Sequence, residues 1–285
     1  MDSHVWRVVY RAIREVDRVL PRVGRRPVFS DVLIVAMYVW TVGHDRPLCW
    51  ACDRRHYGSD FRPRRLPSVS QFCKRIKTER CDGILQAVHD RLARSDVGTQ
   101  LSYLDGRALC VGAHSKDRDA RSGPAPGGMA KGYRLHAWAT EDLRIPIWSV
   151  VPLNVSEKTV AGELLNARRA VGVVLADSNY DAGWLYERVA ERGGQLVTPL
   201  PENAGSGHRR QSPSRLAALH LWDALGAYVY RDRLKIERVF GSTCCFGGGL
   251  GPLPAWVRTL PRVRRWVGAK LIIYHARLAL RRRAV

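Results

Sequence analysis

Near residue 100 the spacing of apolar residues changes, and no single type of secondary structure can serve both sides of that change. Before it, Val5, Val9, Ile13, Val16 and Leu20 recur at three- and four-residue steps. Val69, Phe72, Cys73 and Ile76 do the same, followed by Ile84, Leu85, Val88 and Leu92. Each set forms one face of a helix that needs a partner. After Leu101 the pattern shortens to strand-length runs: Leu101 to Leu104, the alternating Tyr133 to Ala139, Ile145 to Val151, Val171 to Leu175 and Gln195 to Leu200. Helical stretches at Val160 to Ala170 and Trp184 to Arg192 fall between them, which makes this half mixed α/β. The expected division is therefore an all-helical domain over 1–97 and an α/β domain over 98–285. The Gly- and Pro-rich segment Gly112 to Lys131 reads as a mobile loop, and Glu202 to Ser214 as an exposed connection.

Charge narrows the function. The 285 residues carry 47 Lys and Arg against 26 Asp and Glu, a net +21, and 40 of the cations are Arg. A charge of that size favours a polyanionic partner, and the planar guanidinium grips phosphate oxygens in pairs. A genome rich in G and C would also raise Arg. With 46% hydrophobic residues and 9 Trp the chain is no disordered basic tail. The longest apolar run, Val32 to Trp40, is about half of what a bilayer-spanning helix needs, and the N-terminus lacks a signal-peptide pattern. These features predict a soluble cytoplasmic protein with no membrane partner. The seven Cys are read as free thiols.

Two basic segments suit a phosphate backbone. Ser68 stands at an N-cap position, and the helix after it sets Lys74, Arg75 and Lys77 beside its apolar stripe, as a helix lying against DNA would, or as an ordinary solvated face would. Arg258 to Val285 holds nine cations and no acid. Val263, Val267, Leu271, Tyr274 and Leu278 predict one buried stripe there, with an arginine-rich face ending in Arg281, Arg282 and Arg283.

In so basic a chain three acids stand out. Asp105 follows Ser102-Tyr103-Leu104, and Asp177 follows Val173-Val174-Leu175-Ala176, so both are expected at the C-terminal ends of strands, where α/β sheets bind ligands. Either could equally cap a turn. Glu237 lies in Tyr230-Arg231-Asp232-Arg233-Leu234-Lys235-Ile236-Glu237, where offsets of three and seven residues would bring Tyr230, Arg233 and Glu237 to one helical face. A surface helix laced with salt bridges is the plainer alternative.

Together these blocks resemble the three motifs of DDE transposases from bacterial insertion sequences. Lys131-Gly132-Tyr133-Arg134-Leu135-His136, Pro152-Leu153-Asn154-Val155-Ser156-Glu157 and Cys245 to Arg258 extend the resemblance over roughly residues 100 to 260. It implies a ribonuclease-H-like mixed sheet flanked by helices, preceded by a helical DNA-end-binding domain. It also implies that Asp105, Asp177 and Glu237 are catalytic and hold two divalent ions, normally Mg2+ with Mn2+ able to substitute. Hard oxygen donors suit such ions, and two of them can activate an attacking oxygen and stabilise a departing one. The implied partner is double-stranded DNA, both element ends and target, gripped in the synaptic complex by a homodimer. Tyr230 and Arg233 would hold the backbone near the scissile phosphate; Lys131, Arg134 and Arg238, and the basic helix with Lys74, Arg75 and Lys77, are further candidates for DNA contact.

The chain departs from the family where the third motif ends: Cys244 stands in place of a Lys that binds substrate phosphate, a contact that Arg238 or Lys235 could take over. A nuclease of the same fold without strand transfer, or a non-catalytic DNA-binding descendant of a transposase, are the competing functions. His114 and His136 fit structural or DNA-facing roles better than catalysis. Of the spare acids Asp117, Asp119 and Asp181, the last is expected to cap the helix after it. Cys49-Trp50-Ala51-Cys52 has the spacing of half a zinc site, but no second pair follows. Metal analysis of the purified protein should therefore find no stoichiometric zinc.

Overall fold

The computed structural model describes the chain apart from residues 23, 25–26, 95–99, 168–171, 200–211 and 282–285. Arg282, Arg283 and most of the expected connection at 202–214 lie outside the described residues. In chain order the elements are α1 (Ser3–Val19), α2 (Asp31–Gly43), α3 (Val69–Arg75), α4 (Glu79–Ala93), β1 (Leu101–Cys110), β2 (Arg121–Ala125), β3 (Gly128–Thr140), β4 (Ile147–Pro152), α5 (Glu157–Asn166), β5 (Val173–Leu175), α6 (Gly183–Ala190), β6 (Gln195–Val197), α7 (Pro213–Arg231), α8 (Leu234–Cys244) and α9 (Leu260–Arg281). They form two compact units, one of Met1–Arg94 with Thr243–Val285 and one of Ser95–Ser242.

The helical unit begins as the sequence predicts. Val5, Val9, Ile13 and Val16 are buried on α1, and Asp2 caps that helix by accepting from the His4 and Val5 amides. Ser68 caps α3 in a reciprocal box with Gln71. The C-terminal segment departs from expectation. Instead of one buried stripe on an extension of the α/β domain, α9 is buried continuously from Trp266 to Ala276 and packs against α1, α2 and α4. A helix apolar all round belongs in a core. Its one cation in that stretch, Lys270, is fully buried. Its ammonium donates to the Gly248 carbonyl at 3.0 Å and pairs with Asp45, which is what a buried charge requires.

The α/β unit is built on a sheet of six strands among the described residues, ordered β2-β3-β1-β5-β6, with β4 also paired to β3. β1 pairs antiparallel with β3 but parallel with β5, and β5 parallel with β6. Helices α5 and α6 supply the crossovers that parallel neighbours require. Leaving β2 aside, this is the mixed sheet of the ribonuclease-H-like fold. One sheet face packs on α5 and α6 through Leu104, Trp138, Val160, Leu164, Val174, Leu185 and Val189. The segment read as a mobile loop contributes β2, a hairpin partner of β3 that turns through Gly127 and Gly128, both at positive φ. No helix among the described residues is long and apolar enough to cross a membrane, and all seven cysteines are unbridged.

Gly132 is required where β3 crosses β1. A Cβ there would stand 2.4 Å from the Leu109 carbonyl oxygen, a backbone atom that cannot swing aside. Gly132→Ala should cost on the order of 2 kcal/mol in urea unfolding. Gly112→Ala, where nothing lies within 4 Å, should change stability by less than about 0.5 kcal/mol.

Candidate active site

The parallel register of β1 and β5 brings the first two acids together. The last aligned pair is Tyr103 opposite Leu175, and each acid lies two residues beyond it. Side chains alternate along a strand, so Asp105 and Asp177 emerge on the same sheet face, from chains about 4.8 Å apart. Asp105 is not at the strand end that the sequence predicts. It lies inside β1, opposite Ala137, because β3 holds β1 extended to Cys110 after β5 has ended.

Both carboxylates are anchored locally. Asp105 Oδ1 accepts from the Gly106 amide at 2.7 Å. Asp177 caps the short 3-10 turn Ser178–Tyr180, accepting from the Asn179 amide at 2.9 Å. One cation serves the pair: Arg233 Nη2 is 3.7 Å from Asp105 Oδ2 and 3.9 Å from Asp177 Oδ2. The side chains of Asp105, Asp177 and Arg233 are only 17%, 24% and 18% exposed. Burial pushes the Asp105 carboxyl up to about 6, and the charges of Asp177 and Glu237 add to it, against the Gly106 hydrogen bond and Arg233. Burial also raises the Tyr180 hydroxyl well above its usual range, with Asp105 and Asp177 contributing.

The third motif is not one helix. α7 ends at Arg231 and α8 starts at Leu234, and the junction is tightened by three-residue hydrogen bonds from Arg233 to Tyr230, Lys235 to Asp232 and Ile236 to Arg233. Asp232, a poor helix former, pairs there with Lys235 at 3.1 Å. Tyr230 and Arg233 still meet, with the guanidinium 5.5 Å from the ring centre. Glu237 falls in the first turn of α8, exposed, within electrostatic reach of Asp105. Among the described residues, no three His, Cys, Asp or Glu side chains come close enough to share a metal ion.

Asp105 and Asp177 line a groove of about 490 Å3 together with Arg107, Arg134, Glu157 and Asn179. Glu157 is the site residue that sequence reasoning passed over, although it is the one acid in the quoted block from Pro152. It opens α5 and pairs with Arg134, which also donates to the Pro124 carbonyl. Arg134 is thus buried and engaged rather than presented to solvent. Its stem runs past Gly106, where a Cβ would lie 2.9 Å from Arg134 Cδ. Lys131 donates to the Ser115 carbonyl at 2.7 Å, while Arg238 is exposed on α8. In the helical unit Lys74 and Lys77 are exposed, but Arg75 pairs with Asp31.

The other candidates have structural surroundings. His136 is fully buried and its ring is driven down to about 4, by burial and then by Arg134, so it is neutral near pH 7. Asp117 accepts from the Tyr133 hydroxyl at 2.8 Å. Asp181 holds Arg215 through two 2.8 Å hydrogen bonds instead of capping α6, whose N-cap is Ala182. The Cys244 thiol donates to the Leu250 carbonyl at 2.8 Å.

The Transposase DDE domain family matches residues 108–250, half of the sequence, and the chain belongs to that family. Among solved structures, a piggyBac transposase synaptic complex with hairpin DNA is similar over 76% of this chain and 51% of that one, at 12% identity and TM-score 0.39. This chain therefore spans about half the length of that transposase. A simian T-cell lymphotropic virus intasome in complex with PP2A regulatory subunit B56 gamma aligns over 61% of this chain and 67% of that one, at 12% identity and TM-score 0.25. Comparison with curated protein sequences gives no significant match.

Because the raised carboxyl of Asp105 disfavours its charged form in the folded state, the fold binds an extra proton between about pH 4 and 6, and stability falls as pH rises through that window. Asp105→Asn removes the penalty. Thermal unfolding without divalent ions should show the variant more stable at pH 8, by on the order of 2 kcal/mol, and no more stable near pH 4.

Proposed function

We propose that this protein is a DNA transposase that cleaves the ends of an insertion sequence and joins the freed 3′-hydroxyls to target DNA. The observation that carries the proposal is the approach of Asp105, on β1, and Asp177, two residues past the end of the parallel neighbour β5, to the guanidinium of Arg233. Two partly buried carboxylates whose charges oppose one another, one with its proton affinity raised, form a donor set suited to a hard divalent cation. Asp105 and Asp177, with Glu237 from α8, are the residues assigned to hold two Mg2+ or Mn2+ ions. Those ions would supply an activated attacking oxygen and a stabilised leaving oxygen.

The chain's own groups do the rest. The Gly106 amide on β1 and the Asn179 amide in the turn after β5 hold the two carboxylates in place. Tyr230 and Arg233 present a phenol and a guanidinium beside them, a pair suited to gripping the phosphate backbone next to the bond being broken. Arg107, also lining the groove, donates to the Phe240 carbonyl and ties β1 to α8. Double-stranded DNA is the proposed partner, with two copies of the chain bringing two ends together, and the helical unit is proposed to bind those ends.

A second reading, a DNA-binding protein without catalysis, is favoured by two observations: Cys244 in place of the family Lys, and Glu237 standing apart from the two aspartates. Cleavage and strand-transfer assays on duplexes carrying element ends, with Mg2+, separate the possibilities. The wild type should cut the ends and join pre-nicked ends to target DNA. Asp105→Asn and Asp177→Asn should each lose cleavage by at least about a thousandfold while binding the ends as before. Cutting without joined product would identify a nuclease; salt-sensitive binding without cutting would identify the non-catalytic protein.

A further inference from the structure

The helical unit contains a cavity of about 250 Å3 that the acidic site does not use. Buried apolar side chains line it, among them Tyr38, Ile76 and Trp266, while Trp256 stands at its edge 44% exposed. The charged residues in the lining are all cations. Arg265 is committed to Asp82, through hydrogen bonds of 2.7 and 2.9 Å. Arg46, Lys77 and Arg262 are exposed, and none of the three has an ion-pair partner among the described residues.

The chemistry of that lining selects its occupant. An apolar slot bounded by indoles and a phenol favours a flat ring, and three uncommitted cations around its mouth favour anions. A nucleotide has both parts in one molecule. The cavity has room for a single ring system, and an aromatic wall reaches the face of a base only when that base has left its stack. Exposed Val69 at the cavity is the first residue of α3. Lys77, two residues past the end of that helix, belongs to the cationic rim, and Lys74 is exposed near the helix's C-terminal end.

We propose that this cavity receives one unstacked base of a DNA strand, stacked against Trp256, with the neighbouring phosphates on Arg46, Lys77 and Arg262. The full-length protein tests this without added divalent ions, so the outcome is independent of the cleavage chemistry proposed above. The probes are a short fluorescent single-stranded deoxyadenylate and its fully paired duplex, followed by anisotropy. Trp256→Ala should weaken single-strand binding by about tenfold and duplex binding much less, while Trp256→Phe should largely restore it. Arg46→Gln and Arg262→Gln should each reduce the slope of log affinity against log salt by about 0.7. Cys49, an exposed thiol of the lining, should alkylate more slowly once the single strand is bound. Unchanged single-strand affinity in Trp256→Ala, an equal loss on single strand and duplex, or Cys49 reactivity indifferent to the oligonucleotide would overturn the proposal. Tighter binding of anionic vesicles than of the oligonucleotide, lost in Trp256→Ala, would overturn it in favour of a lipid surface.

Discussion

The pairing register of β1 against β5 is the constraint on which the α/β unit's chemistry depends. Strand side chains alternate, so a slip of one residue would send Asp177 to the opposite face from Asp105. The register is held from both sides. β3 pairs with β1 along almost its whole length, and the short β5 is clamped between β1 and β6. Packing of Leu104, Val174 and Trp138 on α5 and α6 fixes the other face. Two like charges are thereby brought together by apolar packing elsewhere, and the raised proton affinity of Asp105 records chiefly the cost of burying its carboxylate, with the charge of Asp177 adding to it. Arg233 partly offsets it.

Cations in this protein fall into two populations. Lys270, Arg134 and Arg75 are engaged by carboxylates and carbonyls, as buried or half-buried charge must be. Lys74, Lys77, Arg46, Arg238 and Arg262 are exposed. The count of 47 cations therefore overstates the charge free to meet a polyanion, since part of it is internal framework already cancelled by acids in the net +21. This distinction separates Arg134, a buried strut beside Gly106, from the residues still available as DNA contacts.

Much of this organisation was legible in the sequence, and the parts that were not share a cause. The stripe Val5, Val9, Ile13 and Val16, the Ser68 cap, the strands through Tyr133 and Val173, and the prominence of Asp105 and Asp177 all follow from local pattern. β2 was illegible because Arg121-Ser-Gly-Pro-Ala has no strand preference of its own and is held by pairing with β3. The interruption between α7 and α8 was also hidden, since no Pro or Gly marks it and the periodicity of Tyr230, Arg233 and Glu237 runs straight through. Glu157 and the place of α9 depend on partners distant along the chain. Local spacing shows which face of a segment is apolar, but not which segment will cover it.

The placement of α9 bears on the order of events at the ribosome. The sheet described for residues 95–242 is built wholly from that segment and can close before α9 is made. The first 94 residues cannot, because the helix that fills the space between α1, α2 and α4 is made only after residues 95–242. Until it emerges, the apolar stripe of α1 and the nearly continuous apolar surface of α2 lack their cover. The nascent chain thus passes through a stage in which residues 95–242 can be folded while the helices before them still wait for α9, with exposed greasy surface as the hazard of the delay.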